Sequence, residues 1–149
     1  MPIRRGRRGE IRVDLDPEER ALLSQVAIEL SAFLDEAPDD PSLRRLQPPA
    51  HEDETLEREY RALTGPQLDA GRKAALATLA STAGQDVLSG EEADAWLRAL
   101  NDVRLVLGTR LDIAEDFDWD EIEGHPRAQE LAVYAYLSWV QEQLLAVVE

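Results

Sequence analysis

The side chains that could carry catalysis are few in this chain. It contains two histidines, His51 and His125, and no cysteine. Each histidine is expected at the start of a helix, and His125, which precedes Pro126, is more typical of a structural residue than of a general base. Neither a glycine-rich phosphate loop nor a histidine–carboxylate metal spacing accompanies them. The sequence therefore predicts a protein that is not an enzyme and holds no cofactor.

Acidic side chains with regular spacing raise the question of a metal site. Asp116, Asp118 and Asp120 have the alternating spacing of a calcium-binding loop. Such a loop needs glycine where Glu121 stands and a bidentate glutamate where Arg127 stands. The pattern therefore predicts an acidic loop and no metal site.

Basic side chains are concentrated at the beginning of the chain, where they could bind phosphate. The residues are Arg4, Arg5, Arg7, Arg8 and Arg12. One interpretation is a nucleic-acid-binding arm. The other is a solvated sheet edge whose charge resists aggregation. We favour the second, because arginines without interleaved aromatic residues are a weak nucleic-acid signal.

The overall charge also argues against a nucleic-acid-binding protein. The 149 residues carry a formal net charge of −15 at pH 7. Five arginines against Glu10 give the first twelve residues a charge of +4, which leaves −19 for the remainder. Such a surface repels bare nucleic acid at long range. We therefore expect protein partners first, and a nucleic-acid contact only through the N-terminal arginines.

The elements that must position these groups begin with a hairpin. Ile11, Val13 and Leu15 alternate with charged residues, which is the pattern of a half-buried strand. Gly6 and Gly9 bracket a tight turn. We predict a basic hairpin over residues 1–15 that packs on a helical bundle over residues 16–149, the whole forming a single domain.

Helix signals follow in quick succession. Asp16 and Pro17 start a helix that should end before Pro38, and residues 42–46 fit one short turn before Gln47-Pro48-Pro49. Residues 51–63 carry only a narrow apolar stripe of Leu56, Tyr60 and Leu63. Thr64-Gly65-Pro66 predicts a break, after which an alanine-rich helix should run from residue 67 to residue 81.

The next helix has the clearest start. Ser89 and Glu92 form a capping-box sequence, and the helix should run to about Asp112. Arg104 falls within its apolar face. Because an isolated buried charge costs several kcal/mol, we predict that Arg104 meets a carboxylate of another segment. The alternative is an arginine that binds an external anion.

The last segment, residues 125–149, is the most apolar. Its residues 131–140 contain only one polar side chain, Ser138, so we predict the central helix of the bundle. It is too interrupted by polar residues to be expected to cross a membrane. We expect Tyr134, Leu137 and Val140 to be buried. The fold class predicted is mainly α, a single-domain bundle of about five helices with a short N-terminal β-hairpin.

Several stretches together resemble a known family. They are Asp40–Pro48, Glu92–Gly108 and Gly124–Pro126, and they occur in the same order as in the actinobacterial AosR-like family of oxidative-stress transcriptional regulators, formerly a domain of unknown function. The matching residues of this sequence are Arg44, Arg45, Asp94, Trp96, Asn101, Asp102, Arg104, Gly108, His125 and Pro126. The resemblance covers nearly the whole chain.

The resemblance implies a cytoplasmic regulator that contacts transcription machinery, such as a sigma factor or polymerase, under oxidative stress. It also suggests an association with Clp protease components, as adaptor or scaffold. This sequence cannot sense an oxidant through a thiol or a core thioether, since it lacks cysteine and its only methionine is Met1. The alternatives left open are direct DNA binding by the N-terminal arginines and a homodimer.

Overall fold

The structure is a computed structural model that describes residues 2–46, 52–113 and 118–148. The predicted Gln47-Pro48-Pro49 stop, His51 and Asp116 lie outside the described residues. The fold class is confirmed as mainly α with a small antiparallel sheet. One apolar core runs from the sheet through all four described α-helices.

The predicted hairpin is confirmed. Strands β1 (Ile3–Arg5) and β2 (Ile11–Val13) pair antiparallel, with Ile3 opposite Val13 and Arg4 opposite Arg12. Ile3, Ile11, Val13 and Leu15 face the core. A third strand, β3 (Val87–Leu88), adds to β2 and was not predicted, because two residues are too few to show an alternating pattern.

The hairpin turn depends on Gly9. Its φ is +82°, which an L side chain rarely adopts. A Cβ on Gly6 would displace the flexible carboxylate of Glu10. The backbone N–H of Gly6 also donates to the Glu10 carbonyl at 2.7 Å. The turn therefore presents Arg7 and Arg8 at an exposed tip.

The first helix, α1 (Pro17–Glu36), begins and ends as predicted. Asp16 caps it by accepting from the backbone N–H of Glu19 at 2.8 Å. A short 3₁₀ turn, Pro41–Leu43, follows and is capped by Asp40. The Ser42 hydroxyl and N–H both donate to the Asp40 carboxylate, and these bonds hold the pKa of Asp40 below its usual value.

The predicted break at Thr64-Gly65-Pro66 was wrong. Helix α2 (Glu54–Thr82) continues through Pro66, so the structure has four described α-helices where about five were expected. Gly65 explains how. A proline usually excludes helical geometry from the preceding residue through a clash with its Cβ, which glycine lacks. The carbonyl of Ala62 that loses its helical donor belongs to an exposed residue.

The central helix is α3 (Gly90–Arg110), and the prediction for the C-terminal helix was wrong. The capping box of Ser89 and Glu92 is present. Helix α3 packs against α1, α2, β3, the 3₁₀ turn and the last helix, α4 (Ala128–Val148). Helix α4 packs mainly on α3 and β1. It buries only one stripe, Leu131, Leu137, Val140 and Leu144, so most of its other apolar side chains are half-exposed.

The prediction that Tyr134, Leu137 and Val140 are buried is confirmed in part. Leu137 and Val140 are fully buried, whereas Tyr134 is half-buried. By length and composition alone, α4 could also span a membrane. This is weak evidence, because core helices of soluble proteins pass the same test.

Candidate interaction surfaces

Two of the residues that match the family, Arg104 and Gly108, lie against Tyr134. The guanidinium of Arg104 lies 5.5 Å from the centre of the Tyr134 ring, and Trp119 stacks on that ring at 5.8 Å. A Cβ built on Gly108 would lie 3.4 Å from Tyr134 and 3.6 Å from a guanidinium nitrogen of Arg45. Gly108 therefore lets α4 and Arg45 approach α3 closely.

The prediction that Arg104 meets a carboxylate was wrong. Its Nε donates to the Ser138 hydroxyl at 2.9 Å, and its Nη1 donates to the side-chain oxygen of Gln141. Both acceptors are neutral groups on α4. The half-buried guanidinium keeps part of its hydration and gains the electron-rich face of Tyr134. It therefore needs no carboxylate to offset its burial.

A half-buried arginine that does meet a half-buried carboxylate is Arg72, which no sequence pattern predicted. Its Nε donates to Asp102 at 3.1 Å, and it also donates to the carbonyl of Leu46. Burial raises the pKa of Asp102, and the positive charge of Arg72 counteracts part of that rise. Arg72 lies in the alanine-rich helix α2, where no pattern in the sequence marked it as buried.

Trp96, another signature residue, is fully buried and hydrogen-bonded. Its indole N–H donates to the Thr82 hydroxyl at 2.7 Å, which links α3 to the end of α2. Asp94, Asn101, His125, Pro126 and Arg44 are exposed instead. The signature therefore mixes residues that join helices with residues that face solvent.

The N-terminal arginines divide into two groups. Arg5 donates to the Val147 carbonyl and thereby caps the end of α4. Arg12 pairs with Glu10 at 3.4 Å. Glu10 also accepts from the N–H of Arg8, and backbone hydrogen bonding lowers its pKa.

Arg12 and the three remaining arginines form a concave basic face. Arg4 stands directly across from Arg12 on the solvent side of the sheet, an arrangement of like charges that costs stability. Arg4, Arg7, Arg8 and Arg12 surround Val87, which is 40% exposed, and the concavity measures about 820 Å³. We call these five residues the basic face.

The opposite end of α2 carries opposite charge. Helix α2 has 29 residues, so it spans about 43 Å. Residues 52–63, called here the acidic arm, hold five acids against two arginines. The arm also exposes Leu56 at 50% and Leu63 at 79%. The basic face adjoins β3, five residues after α2 ends, so the two charged surfaces lie at opposite ends of that helix.

A groove lies between α1 and α4, with α3 as its floor. Its apolar lining includes Leu22, Val26 and Phe33 from α1, Leu107 from α3 and Val133 from α4, and its volume is about 570 Å³. Glu29, Glu36 and Glu130 also line it. Near one end of α1, the Tyr136 hydroxyl donates to Glu19 at 2.6 Å; burial and this acceptor raise the Tyr136 pKa.

Among the described residues, no group of three histidine or acidic side chains is placed to hold a metal ion. The fold and these surfaces thus define a class: an acidic helical bundle with a small basic sheet at one end and an apolar groove on its flank.

The particular family follows from comparison with known proteins. The family model described as "Domain of unknown function (DUF2017)" matches residues 1–148, and the chain belongs to this family. The oxidative stress regulator AosR of Mycobacterium tuberculosis is 30% identical over 91% of this chain and 81% of its own length. Its namesake in Mycobacterium bovis gives the same values.

A Mycobacterium leprae relative of the same name is 36% identical over 72% of this chain. The match spans 58% of that relative's length. No solved structure matches the chain. The resemblance to the AosR-like family predicted from the signature stretches is confirmed, and the names of the relatives are those of regulators.

Proposed function

We propose that this chain is a cytoplasmic, non-enzymatic regulator of the oxidative stress response that acts by protein–protein contact with transcription machinery. Its relatives named as regulators support the regulatory role. The groove on the bundle flank is the structural observation that carries the contact. It is lined mainly by apolar side chains, with the Arg110 guanidinium of α3 over the Phe33 ring, and it is open to solvent.

The chemistry of the groove favours a helical partner segment. Three helices form a floor and two walls, which is the arrangement that receives an amphipathic helix through its apolar face. Glu29 and Glu36 are exposed on the α1 wall and Glu130 on the α4 wall. A partner helix with arginine or lysine beside its apolar stripe would complement these acids.

The oxidant signal must reach this regulator from elsewhere. The chain has no cysteine that could be oxidised to a sulfenic acid or disulfide. We therefore place the redox-sensitive group in the partner, and the regulator responds to the partner's altered surface.

The test uses purified bacterial RNA polymerase, as core enzyme and with a sigma factor. Ala32 is exposed and lines the groove, whereas Ala77 is exposed on α2 outside it. Immobilised wild-type protein and the Ala77→Arg control should retain polymerase subunits or sigma factor. Ala32→Arg should reduce retention at least about tenfold, because it places a large charged side chain in the groove.

Two results would contradict the proposal. Equal retention by both variants would remove the groove from the interface. Recovery of Clp components alone, from a lysate examined in parallel, would support the adaptor or scaffold alternative.

Direct DNA binding remains the competing function. It predicts that a duplex binds with an affinity that falls steeply with salt and is lost when Arg4, Arg5, Arg7 and Arg8 are replaced by alanine. The capping role of Arg5 and the ion pair of Arg12 leave three of the five arginines for phosphate among the described contacts. Because the charge of −19 on the remainder of the chain repels a duplex, we expect no salt-sensitive DNA shift.

A further inference from the structure

The basic face has no role in the proposed groove contact. Repulsion between its arginines would be relieved by an acidic partner. Arg4 and Arg12 are paired across the sheet with one carboxylate, Glu10, near Arg12. Arg7 and Arg8 add charge at the exposed tip. Like charges placed directly opposite one another destabilise a sheet. An acidic surface seated on this face would offset that cost.

The chain itself carries a complementary surface. The acidic arm has a net charge of −3, from Glu52, Asp53, Glu54, Glu57 and Glu59 against Arg58 and Arg61. Leu56, Tyr60 and Leu63 follow one another at i, i+4 and i+7, so they share one face of α2. That face exposes apolar side chains flanked by acids, as the basic face exposes Val87 among arginines.

The arm and the basic face cannot meet within one protomer. They lie at opposite ends of a helix of about 43 Å. A second copy placed antiparallel brings each basic face onto the other's arm. A two-fold axis makes both contacts at once, because in such an interface each contact occurs twice.

We infer that this chain self-associates as an antiparallel two-fold dimer in which the basic face of each protomer binds the acidic arm of the other. The favoured occupant is a second copy, because the acidic arm at the other end of α2 supplies the complementary charge beside exposed apolar side chains. The attraction in the dimer is local, between each basic face and the acidic arm of the other protomer.

The experiment is sedimentation equilibrium of the full chain with charge-reversal variants. The face variant is Arg7→Glu with Arg8→Glu, and the arm variant is Glu52→Arg with Glu59→Arg. The control, Arg44→Glu with Arg98→Glu, changes the net charge by the same amount as the face variant, at exposed sites outside both surfaces. Circular dichroism verifies that each variant is folded.

The wild type and the control should be dimeric at low salt, and their dissociation constant should rise about tenfold or more near 0.5 M salt, where charges are screened. Each reversal variant alone should be monomeric. An equimolar mixture of the two variants should form heterodimers, because each reversed surface then meets its opposite. This recovery excludes misfolding as the cause of the loss.

Three outcomes would overturn the inference. The first is a wild type that stays monomeric at low salt, including one that binds a labelled DNA duplex through Arg7 and Arg8. The second is a dimer unaffected by either reversal. The third is a mixture of reversal variants that remains monomeric.

Discussion

At the scale of single residues, the buried members of the family signature link helices to one another. Trp96 lies fully buried on the inner side of its helix. Its partner Thr82 could not be foreseen, because it lies on another helix and sequence spacing carries no distance between helices. The error at Arg104 has the same origin. Periodicity placed the side chain towards its neighbours, but neutral oxygens and a tyrosine face received it.

The bond between Trp96 and Thr82 can be tested by an isosteric change. Thr82→Val removes the acceptor and leaves the buried indole N–H unsatisfied, which should lower the free energy of unfolding by about 1–3 kcal/mol. Thr82→Ser keeps the hydroxyl and should cost less, about 1 kcal/mol for the lost methyl. Urea unfolding of both variants measures the difference. A Thr82→Val protein as stable as Thr82→Ser would show that the bond contributes nothing.

The two half-buried arginines should respond differently to the same substitution. Arg72→Met leaves Asp102 buried without its cation and should destabilise the protein by about 3 kcal/mol. Arg104→Met leaves only neutral groups and should cost about 1 kcal/mol. Urea unfolding near pH 7 compares them. Equal losses would mean that Arg104 also neutralises an acid.

The pH dependence of the Arg72→Met loss identifies its cause. Removing Arg72 should raise the already elevated pKa of Asp102 further. A carboxyl whose pKa is raised by folding prefers its protonated form in the native state. Its penalty is therefore absent below the pKa of the unfolded chain and grows as the pH rises above it. The destabilisation should thus be smaller near pH 4 than near pH 7, and a loss independent of pH would point to packing.

At the scale of elements, local capping chemistry was a reliable guide. Asp16 and Ser89 start helices where the sequence predicted them, because a cap depends on residues three positions apart. Two predictions about elements were wrong, because in both cases the outcome depends on neighbouring residues or helices. The break predicted at Pro66 did not occur because Gly65 relieves the clash, and the C-terminal helix is not central because its apolar faces exceed the partners available to cover them.

Pro66 should lower the stability of α2. Pro66→Ala restores a donor for the carbonyl of Ala62, and we expect an increase of about 1–3 kcal/mol in the free energy of unfolding. Thermal unfolding followed by circular dichroism measures it. Ala70→Pro, one turn further along, is the control and should destabilise. A decrease on Pro66→Ala would mean that the proline's shape is needed there.

At the scale of the whole molecule, charge separation along α2 is the dominant feature. The sequence predicted a basic beginning and an acidic remainder. It could not predict that an acidic stretch in the middle of the chain would lie at the far end from the hairpin, because that placement requires α2 to run unbroken. The groove was equally hidden, since its walls come from helices about a hundred residues apart.

The absence of thiols makes a prediction for the molecule as a whole. Treatment with about millimolar hydrogen peroxide should leave the sedimentation behaviour and circular dichroism of the isolated chain unchanged, because no cysteine is present to be oxidised. The same treatment of the partner complex should change its affinity. A peroxide-induced change in the isolated chain would locate the sensor here after all.

The pairing of β1 with α4 also has a consequence for biosynthesis. Ile3 is covered in part by a helix that ends at Val148, and Arg5 bonds to the carbonyl of Val147. At about 5–20 residues per second, the ribosome delivers that helix several seconds or more after the first strand. The nascent hairpin must wait with its inner side uncovered, so the core is completed only after α4 has been synthesised.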